Sequence, residues 1–237
     1  MKIFLKSSIF FFDIIDKFVH QKRIIKFFKK NKIKIQNFID VGSHKGLYTD
    51  LFMQNYNINK VLMFEPQIKI FNFLKKKYTK NKKIKILNYA VSNKNNFKNL
   101  QLNHHDLTTT LSIFNKKKFY LKVKALLFGV EKMTYQKVRI KTVRLVDILK
   151  KNKINQVDLL KIDTEGHELE VLEGLKKKIN QIQFILIEFH RDKIYLKYSP
   201  KKIHNHLLKN NFVLEAKFKF PFTSWEDRIY FNKNENK

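Results

Sequence analysis

Short apolar runs of strand length alternate with amphipathic stretches over most of the chain. Such runs cover residues 35–41, 61–64 and 184–189, and they are typical of strands buried on both faces of a parallel sheet. Before the last run, the leucines of segment 169–175 recur at helical spacing. This alternation predicts an α/β fold with a mainly parallel sheet packed between helices.

The remaining patterns complete one domain. Residues 84–91 and 136–143 indicate further strands, and residues 200–210 indicate a late helix. After that helix, Phe212–Lys219 and Arg228–Phe231 suit two antiparallel strands at the edge of the sheet. We find neither an internal repeat nor a linker.

Residues 1–34 differ from the rest because phenylalanine and isoleucine are mixed with lysine at broadly helical spacing. The longest uncharged stretch, Ser7 to Phe12, is too short for a signal-peptide core or a membrane span. We therefore expect an N-terminal helical cap, residues 1–34, on a domain formed by residues 35–237. A helix lying on an anionic membrane is the alternative, with a peripheral contact through this basic segment.

A glycine-containing turn after the first predicted strand is a candidate ligand site. Gly42 and Gly46 let the backbone bend and approach a ligand, which the free amides of the next helix then face. The second strand ends in Glu65, 19 positions after Gly46, about where an acidic residue holds ribose hydroxyls in dinucleotide-binding folds. Pro66 is expected to begin a helix.

Two common nucleotide motifs do not match this turn. The Gly42-x-x-x-Gly46 spacing is not G-x-G-x-x-G, and the Gly-Lys-Ser/Thr of a P-loop is missing. A nucleoside without a pyrophosphate fits better, and Asp40-x-Gly42-x-x-x-Gly46 with Glu65 resembles the first two motifs of class I S-adenosylmethionine methyltransferases. An ordinary strand, turn and helix is the alternative. The candidate cofactor-binding residues here are Asp40, Gly42, Ser43, His44, Gly46, Tyr48, Glu65 and Pro66.

Ionisable side chains gather at the predicted ends of two later strands. Asp163 and Glu165 follow one strand, and Glu188 and His190 end the next. The carboxyl ends of parallel strands form the edge where open α/β sheets bind ligands. Because residues two apart in an extended segment share a face, we expect Asp163, Glu165 and Glu188 to form one carboxylate cluster with at least one raised pKa. The alternative is that these acids cap the following helix or pair with Lys161.

The polar segment from His104 to Ser112 suits an active-site loop. Its adjacent histidines, His104 and His105, are expected to point apart, and no third ligand is spaced to join them. A divalent ion on the later carboxylates has no support in the sequence, so we predict no metal site. His167 is expected only to start a helix.

Lysine dominates the charge of the chain, which has 50 Lys and Arg against 20 Asp and Glu and a net charge of +30. Basic surfaces are typical of nucleic-acid binding. However, only five of the 50 basic residues are arginine, which binds phosphates and base edges better than lysine does. Lysine, isoleucine, asparagine and phenylalanine are enriched together, as A/T-rich codons would produce. We therefore expect no specific nucleic-acid partner.

The absence of cysteine excludes disulfides, thiolate metal sites and a cysteine nucleophile. No compartment follows from this absence alone. A reducing cytoplasm is the default expectation.

The motif Lys161-Ile162-Asp163-Thr164-Glu165-Gly166-His167-Glu168 resembles the FkbM family of methyltransferases, whose members carry Lys-Ile-Asp-x-Glu-Gly-x-Glu in this place. Further similar segments are the Asp40 loop, Phe64-Glu65-Pro66, Ala90-Val91-Ser92, Leu145-Val146-Asp147 and Ile187-Glu188. The resemblance implies a three-layer, Rossmann-like class I methyltransferase fold that uses S-adenosyl-L-methionine. It also implies transfer of methyl to a hydroxyl of a sugar, a glycan or another secondary metabolite. Ala90 and Val91 are then expected to contact the adenine, and Asp163 joins the cofactor-binding candidates.

Methyl transfer to a hydroxyl requires a positioned acceptor oxygen and a base for its proton. The candidate bases are Asp163, Glu165, Glu188 and His190, and the first two equally suit binding of the cofactor's methionine end or of acceptor hydroxyls. Two other functions stay open. One is RNA methylation at ribose or a ring nitrogen, and the other is a noncatalytic basic module that binds nucleic acid or a membrane.

Overall fold

The computed structural model describes residues 20–103, 109–115, 134–191, 194–220 and 224–236. Within these ranges, strands and helices alternate along much of the chain. The strands are β1 (Asn37–Val41), β2 (Lys60–Phe64), β3 (Ile84–Leu87), β4 (Ala90–Val91), β5 (Asn96–Asn103), β6 (Thr134–Val143), β7 (Val157–Ile162), β8 (Ile182–His190), β9 (Phe212–Lys219) and β10 (Trp225–Asn232). The α-helices are α1 (Gln21–Lys30), α2 (Leu47–Asn55), α3 (Ile68–Lys77), α4 (Leu145–Lys151), α5 (Glu168–Glu173) and α6 (Pro200–Lys209). Short 3₁₀ helices cover Lys176–Gln181 and Lys233–Asn236.

Seven of the described strands form one sheet in the order β3-β2-β1-β7-β8-β10-β9. The first five are parallel, and β10 runs antiparallel to both β8 and β9. The predicted mainly parallel sheet with an antiparallel C-terminal edge is therefore confirmed. A second sheet, in the order β4-β6-β5, lies outside it.

Helices cover both faces of the large sheet, because successive strand residues point to opposite sides. Ile39 and Val41 belong to one core cluster, which also contains buried side chains of α4, α5 and α6. Phe38 belongs to the other cluster, together with side chains of α1, α2 and α3. The result is the expected arrangement of three layers.

Helix α1 is the described part of the predicted N-terminal cap. Its Ile24, Ile25 and Phe28 are buried, and the Phe28 ring centroid lies 5.7 Å from that of Phe52 and 5.6 Å from that of Phe184. The helix therefore packs on the sheet as expected, while the domain boundary after residue 34 stays a prediction and residues 1–19 lie outside the described ranges. None of the described helices is both long and apolar enough to cross a bilayer.

Strand register aligns the ends of four parallel strands. The last paired residues are Val41, Phe64, Ile162 and Ile187. The residues that follow them are Gly42, Glu65, Asp163 and Glu188. Four positions singled out from the sequence therefore meet in one row at the carboxyl edge of the sheet.

Two expectations about local structure are wrong. Pro66 does not begin a helix: α3 begins at Ile68, because the Glu65 carboxylate accepts the N–H of Gln67, which is extended and serves as the N-cap. Residues 84–91 are not one strand, since the chain leaves the large sheet at Asn88. The Asn88 side chain donates to the carbonyls of Glu65 and Pro66, and β4 pairs with β6 instead.

Candidate active site

A cavity lies at the carboxyl edge of the large sheet, between the ends of β1, β2 and β7 and the residues around β4. Seven predicted cofactor-binding residues line it: Gly42, His44, Glu65, Pro66, Ala90, Val91 and Asp163. Of the four predicted catalytic residues, Asp163 and Glu165 line the cavity, whereas Glu188 and His190 lie outside its described lining. Tyr89 adds an aromatic ring next to Ala90, on the side where the adenine is expected, and was not singled out from the sequence.

Gly42 brings two strands into backbone contact at the cavity floor. Its φ is +77°, and a Cβ atom built there would lie 1.7 Å from the carbonyl oxygen of Asp163. Its N–H and that of Ser43 both donate to the Phe64 carbonyl, each at 3.1 Å. Only glycine fits this close approach, as the sequence pattern indicated.

Glu65 is a buried carboxylate whose two oxygens accept different backbone amides. Oε2 accepts the N–H of His44 at 2.9 Å, and Oε1 accepts the N–H of Gln67 at 2.8 Å. Burial raises the pKa of Glu65 to about 7, against the lowering effect of these two hydrogen bonds. The carboxylate is thus held rigidly on the cavity wall, with lone pairs left for a ligand.

Four predicted cofactor-binding residues lie outside the described lining of the cavity: Asp40, Ser43, Gly46 and Tyr48. Ser43 Oγ donates to the Asp40 carbonyl at 2.7 Å, and Tyr48 Oη donates to Asp227 at 2.7 Å. Gly46 has a φ of +77° and starts α2. The polar groups of Asp40, Ser43 and Tyr48 hold the turn and its neighbours in place, and direct contact of these four residues with a cofactor stays a prediction.

Asp40 is completely buried behind the turn, where it meets Lys161. Its Oδ2 accepts the hydroxyl of Thr49 at 2.7 Å, and its Oδ1 lies 3.7 Å from Lys161 Nζ. Burial raises the pKa of Asp40, while Lys161 and the Thr49 hydroxyl oppose the rise. Lys161 Nζ also lies 3.1 Å from Asp163 Oδ2, so the alternative pairing of Asp163 with Lys161 is present.

The loop after β7 is tightly held and is not extended. Glu165 has a φ of +55°, which an L side chain rarely adopts, so the expected sharing of one face by Asp163 and Glu165 in an extended segment is wrong. The buried Glu168 Oε1 accepts the backbone N–H groups of Thr164 at 3.1 Å and Gly166 at 3.0 Å. The second acid of the Glu-Gly-x-Glu motif thereby fixes the loop that presents the first.

Glu165, Glu188 and His190 nevertheless form a cluster. His190 Nε2 lies 3.1 Å from Glu188 Oε2 and 3.6 Å from Glu165 Oε2. Burial, then the charges of Asp163 and Glu165, raise the pKa of Glu188 well above its usual value, the direction expected from like charges. Burial alone would lower the pKa of His190, but Glu188, Glu165 and Glu168 outweigh it and raise that pKa.

Residues 109–111 line one side of the cavity, and they belong to the segment from His104 to Ser112 for which an active-site loop is predicted. Thr109, Thr110 and Leu111 line the cavity, and Thr110 Oγ1 donates to the Glu165 carbonyl at 2.5 Å. Ser112 Oγ donates to the Gly166 carbonyl at 2.7 Å. The histidine pair at 104 and 105 lies outside the described residues.

His167 does more than start α5. Its Nε2 lies 3.0 Å from Ser92 Oγ, and its side chain lines the cavity. Burial, helped by the positive charge of Lys98, lowers the pKa of His167 to about 3, so the ring is neutral. Sequence reasoning missed this contact because Ser92 and His167 are distant in the chain.

Comparison with known proteins assigns the family. The family model described as the methyltransferase FkbM domain matches residues 40–214. The structure resembles the methyltransferase FkbM of Methylobacillus flagellatus with a TM-score of 0.53 at 16% identity, covering 84% of this chain and 43% of that one. It also resembles M. capricolum TrmK in complex with S-adenosyl-homocysteine, with a TM-score of 0.51 at 14% identity, covering 91% of this chain and 68% of that one. At these identities both likenesses show the fold alone.

A shorter match links the chain to a curated protein, the hexuronic acid methyltransferase AglP of Haloferax volcanii. The two are 33% identical over 51 residues, which are 22% of this chain and 21% of the relative. The chain thus matches about a fifth of that relative and spans less than half of the FkbM structure. With the family model covering most of its length, the chain belongs to the FkbM methyltransferase family.

Proposed function

We propose that the protein transfers the methyl group of S-adenosyl-L-methionine to a hydroxyl of a sugar, a glycan or another secondary metabolite. The observation that carries the proposal is the Glu65 carboxylate, held by two backbone amides on the wall of a cavity whose floor is Gly42. A buried acid at the end of the second strand, beside a glycine turn, suits the two hydroxyls of a ribose. The methyltransferase family supports the same cofactor.

The residues of the cavity fit the parts of this cofactor. Glu65 would accept the ribose hydroxyls, since both its oxygens face backbone donors and keep free lone pairs. Tyr89, Ala90 and Val91 provide an apolar wall for the adenine. When bound, S-adenosylmethionine supplies a methyl group activated by a positive sulfur.

Asp163 and Glu165 would act on the acceptor. Both line the cavity, so either one is placed to hold the acceptor hydroxyl and to take its proton. Glu188 and His190 lie behind Glu165 and would influence the reaction through it, His190 Nε2 being 3.6 Å from Glu165 Oε2. Positioning the oxygen in line with the transferred methyl is the larger contribution of the site.

A carbohydrate acceptor is supported by the match to a hexuronic acid methyltransferase. The scarcity of arginine makes a specific nucleic-acid acceptor a weaker proposal, because arginine forms the better fork for phosphates and bases. General attraction of the basic surface to polyanions would then be lost steeply with salt.

Calorimetric titration with S-adenosylmethionine tests the cofactor. We expect micromolar binding by the wild type, and Glu65→Ala should weaken it about 10- to 100-fold, because charge-assisted hydrogen bonds contribute about 1.5 to 3 kcal/mol. The exposed Glu215→Ala is the matched control and should bind like the wild type. Equal affinity in wild type and Glu65→Ala would overturn this placement of the ribose.

The acceptor is tested by mass analysis of glycans and metabolites from a strain that lacks the gene. Some glycans or metabolites of this strain should be lighter by one methyl group, and reintroducing the wild-type gene should restore their normal mass. Asp163→Asn should restore little methylation while its protein still binds the cofactor. Unchanged glycans and metabolites in the deletion strain would contradict a carbohydrate or metabolite acceptor.

A further inference from the structure

Three side chains beside the acceptor end of the cavity, of which only Glu165 belongs to its described lining, offer metal-binding atoms to one point. Glu165, Glu188 and His190 each supply one such atom, and these atoms all lie within 4.8 Å of one another. Glu165 comes from the loop after β7, whereas Glu188 and His190 lie on β8. Their side chains are largely shielded from water, with 17%, 12% and 7% exposed, respectively.

The distances suit a small divalent ion. Ligand atoms each about 2.1 Å from one ion lie at most about 4.2 Å apart. The separations from His190 Nε2, 3.1 Å to Glu188 Oε2 and 3.6 Å to Glu165 Oε2, fall inside this limit, while the separation between the two carboxylates is bounded only at 4.8 Å. Only a small movement of the carboxylates would bring the three atoms around one ion.

Two of the three atoms have no hydrogen-bond partner. Glu188 Oε2 and His190 Nε2 are both buried and neither makes a hydrogen bond of good geometry, although they form an ion pair with a separation of 3.1 Å. Most buried polar atoms in proteins are satisfied, and leaving one unpaired costs about 1 to 3 kcal/mol. Two such atoms facing each other indicate a missing partner that both can bind.

Neighbouring groups hold the three side chains in place. The Tyr195 hydroxyl donates to Glu165 Oε2, and the ring centroids of Tyr195 and Tyr198 lie 5.2 Å and 5.6 Å from that of His190. The backbone N–H of His190 donates to the Tyr198 hydroxyl at 3.0 Å. Such second contacts orient metal ligands in known sites.

The charges at this end also favour a cation. Glu165 and Glu188 bring two carboxylates to one imidazole, that of His190. The nearby Lys161 is already engaged with Asp40 and Asp163. An imidazole with two carboxylates is a mixed nitrogen and oxygen set, which suits Mn²⁺, Fe²⁺ or Zn²⁺ better than Mg²⁺.

We propose that Glu165, Glu188 and His190 bind a divalent first-row transition-metal ion beside the acceptor end of the cavity. Three protein ligands leave coordination positions open, as in catalytic zinc sites. The expected role, which rests on the proposed methyl transfer, is to bind the acceptor oxygen and make its proton easier to remove. The metal site itself does not depend on that role, and it differs from the prediction of no metal made from the sequence.

Metal binding by the untagged, chelator-treated full chain tests the proposal. Equilibrium dialysis with Mn²⁺ and, separately, Zn²⁺ should show one saturable site. Glu188→Gln and His190→Gln should each weaken that site at least tenfold, with the circular dichroism spectrum unchanged. The matched controls Glu215→Gln and His206→Gln replace a carboxylate and an imidazole elsewhere and should bind like the wild type.

Cobalt substitution supplies a second measurement. Co²⁺ bound at this site should give a visible absorption spectrum that changes in His190→Gln and persists in His206→Gln. Absence of a saturable site for both Mn²⁺ and Zn²⁺, or equal binding by the site variants and the controls, would overturn the proposal. Titration of the same samples with S-adenosylmethionine distinguishes the metal proposal from the cofactor proposal. Cofactor binding without metal binding would contradict only the metal site, and metal binding without cofactor binding would contradict only the assigned cofactor.

Discussion

Glu65 and Glu188 are buried carboxylates in the same row at the edge of one sheet, yet their surroundings are opposite. Both oxygens of Glu65 accept backbone amides, from His44 and Gln67. Oε2 of Glu188 has no hydrogen-bond partner in the structure, and its neighbour His190 is equally unsatisfied at Nε2. The chain itself satisfies the carboxylate on the proposed nucleoside side of the cavity, whereas a bound cation or substrate is expected to complete the proposed acceptor side.

The two sides also differ in how they are built. The nucleoside side uses backbone groups of the two turns that directly follow β1 and β2, so its geometry comes from local conformation. The acceptor side depends on side chains from the loop after β7, from β8 and from Tyr195, which packing brings together. Substitutions on the nucleoside side should therefore act by changing the backbone, and substitutions on the acceptor side should act by changing the charge.

Replacing Gly42 by alanine should have the largest effect. The new Cβ would lie 1.7 Å from the Asp163 carbonyl oxygen, and two strands would have to separate. We expect a loss of about 4 kcal/mol or more in the free energy of unfolding, measured by urea denaturation. Gly46→Ala is the matched control, with the same φ of +77° but a contact to the movable Tyr78 hydroxyl, and should cost about 1 to 2 kcal/mol. Equal losses would show that the backbone contact at Gly42 is unimportant.

Lys161→Met should have the second-largest effect on stability, because it leaves the buried Asp40 carboxylate without its positively charged partner. We expect a loss of about 3 kcal/mol near pH 8 and a smaller loss near pH 5, where a proton on Asp40 replaces the missing charge. Urea denaturation at the two pH values measures this difference, with the exposed Lys60→Met as the control. A small loss that is independent of pH would show that the pair contributes little.

The smallest expected effect is the pH dependence of the stability that Glu65 contributes. Burial, helped by the charge of Asp40, raises its pKa from 4.5 to about 7, against the lowering effect of the two backbone hydrogen bonds and of Lys161. Between these pH values the folded state binds more protons than the unfolded state, so the stability that Glu65 contributes is complete below about pH 4.5 and is lost as pH rises through 7. The stability of the wild type relative to Glu65→Gln should therefore fall by about 1 to 2 kcal/mol between pH 5 and 8. A constant difference would contradict the raised pKa.

Much of the fold and of the nucleoside side was predictable from the sequence. Apolar runs of strand length located β1, β2 and β8, because strands buried on both faces are rich in apolar residues. Gly42 was recognisable because a turn that approaches another backbone needs φ > 0 and no side chain. Glu65 was recognisable from its place at the end of a strand. These features depend on neighbours in the chain, so a single sequence contains them.

Only the tertiary structure decided which ionisable groups face the cavity. Asp40 was expected at the ligand but is buried against Lys161, because β1 pairs with β7, about 120 residues later, and places Asp40 opposite Lys161. Ala90 and Val91 leave the large sheet to pair with β6. Glu165 approaches His190 because its backbone adopts a left-handed conformation, which the hydrophobic pattern of the sequence does not predict. Strand order and register set these contacts, and both arise from packing between segments far apart in the chain.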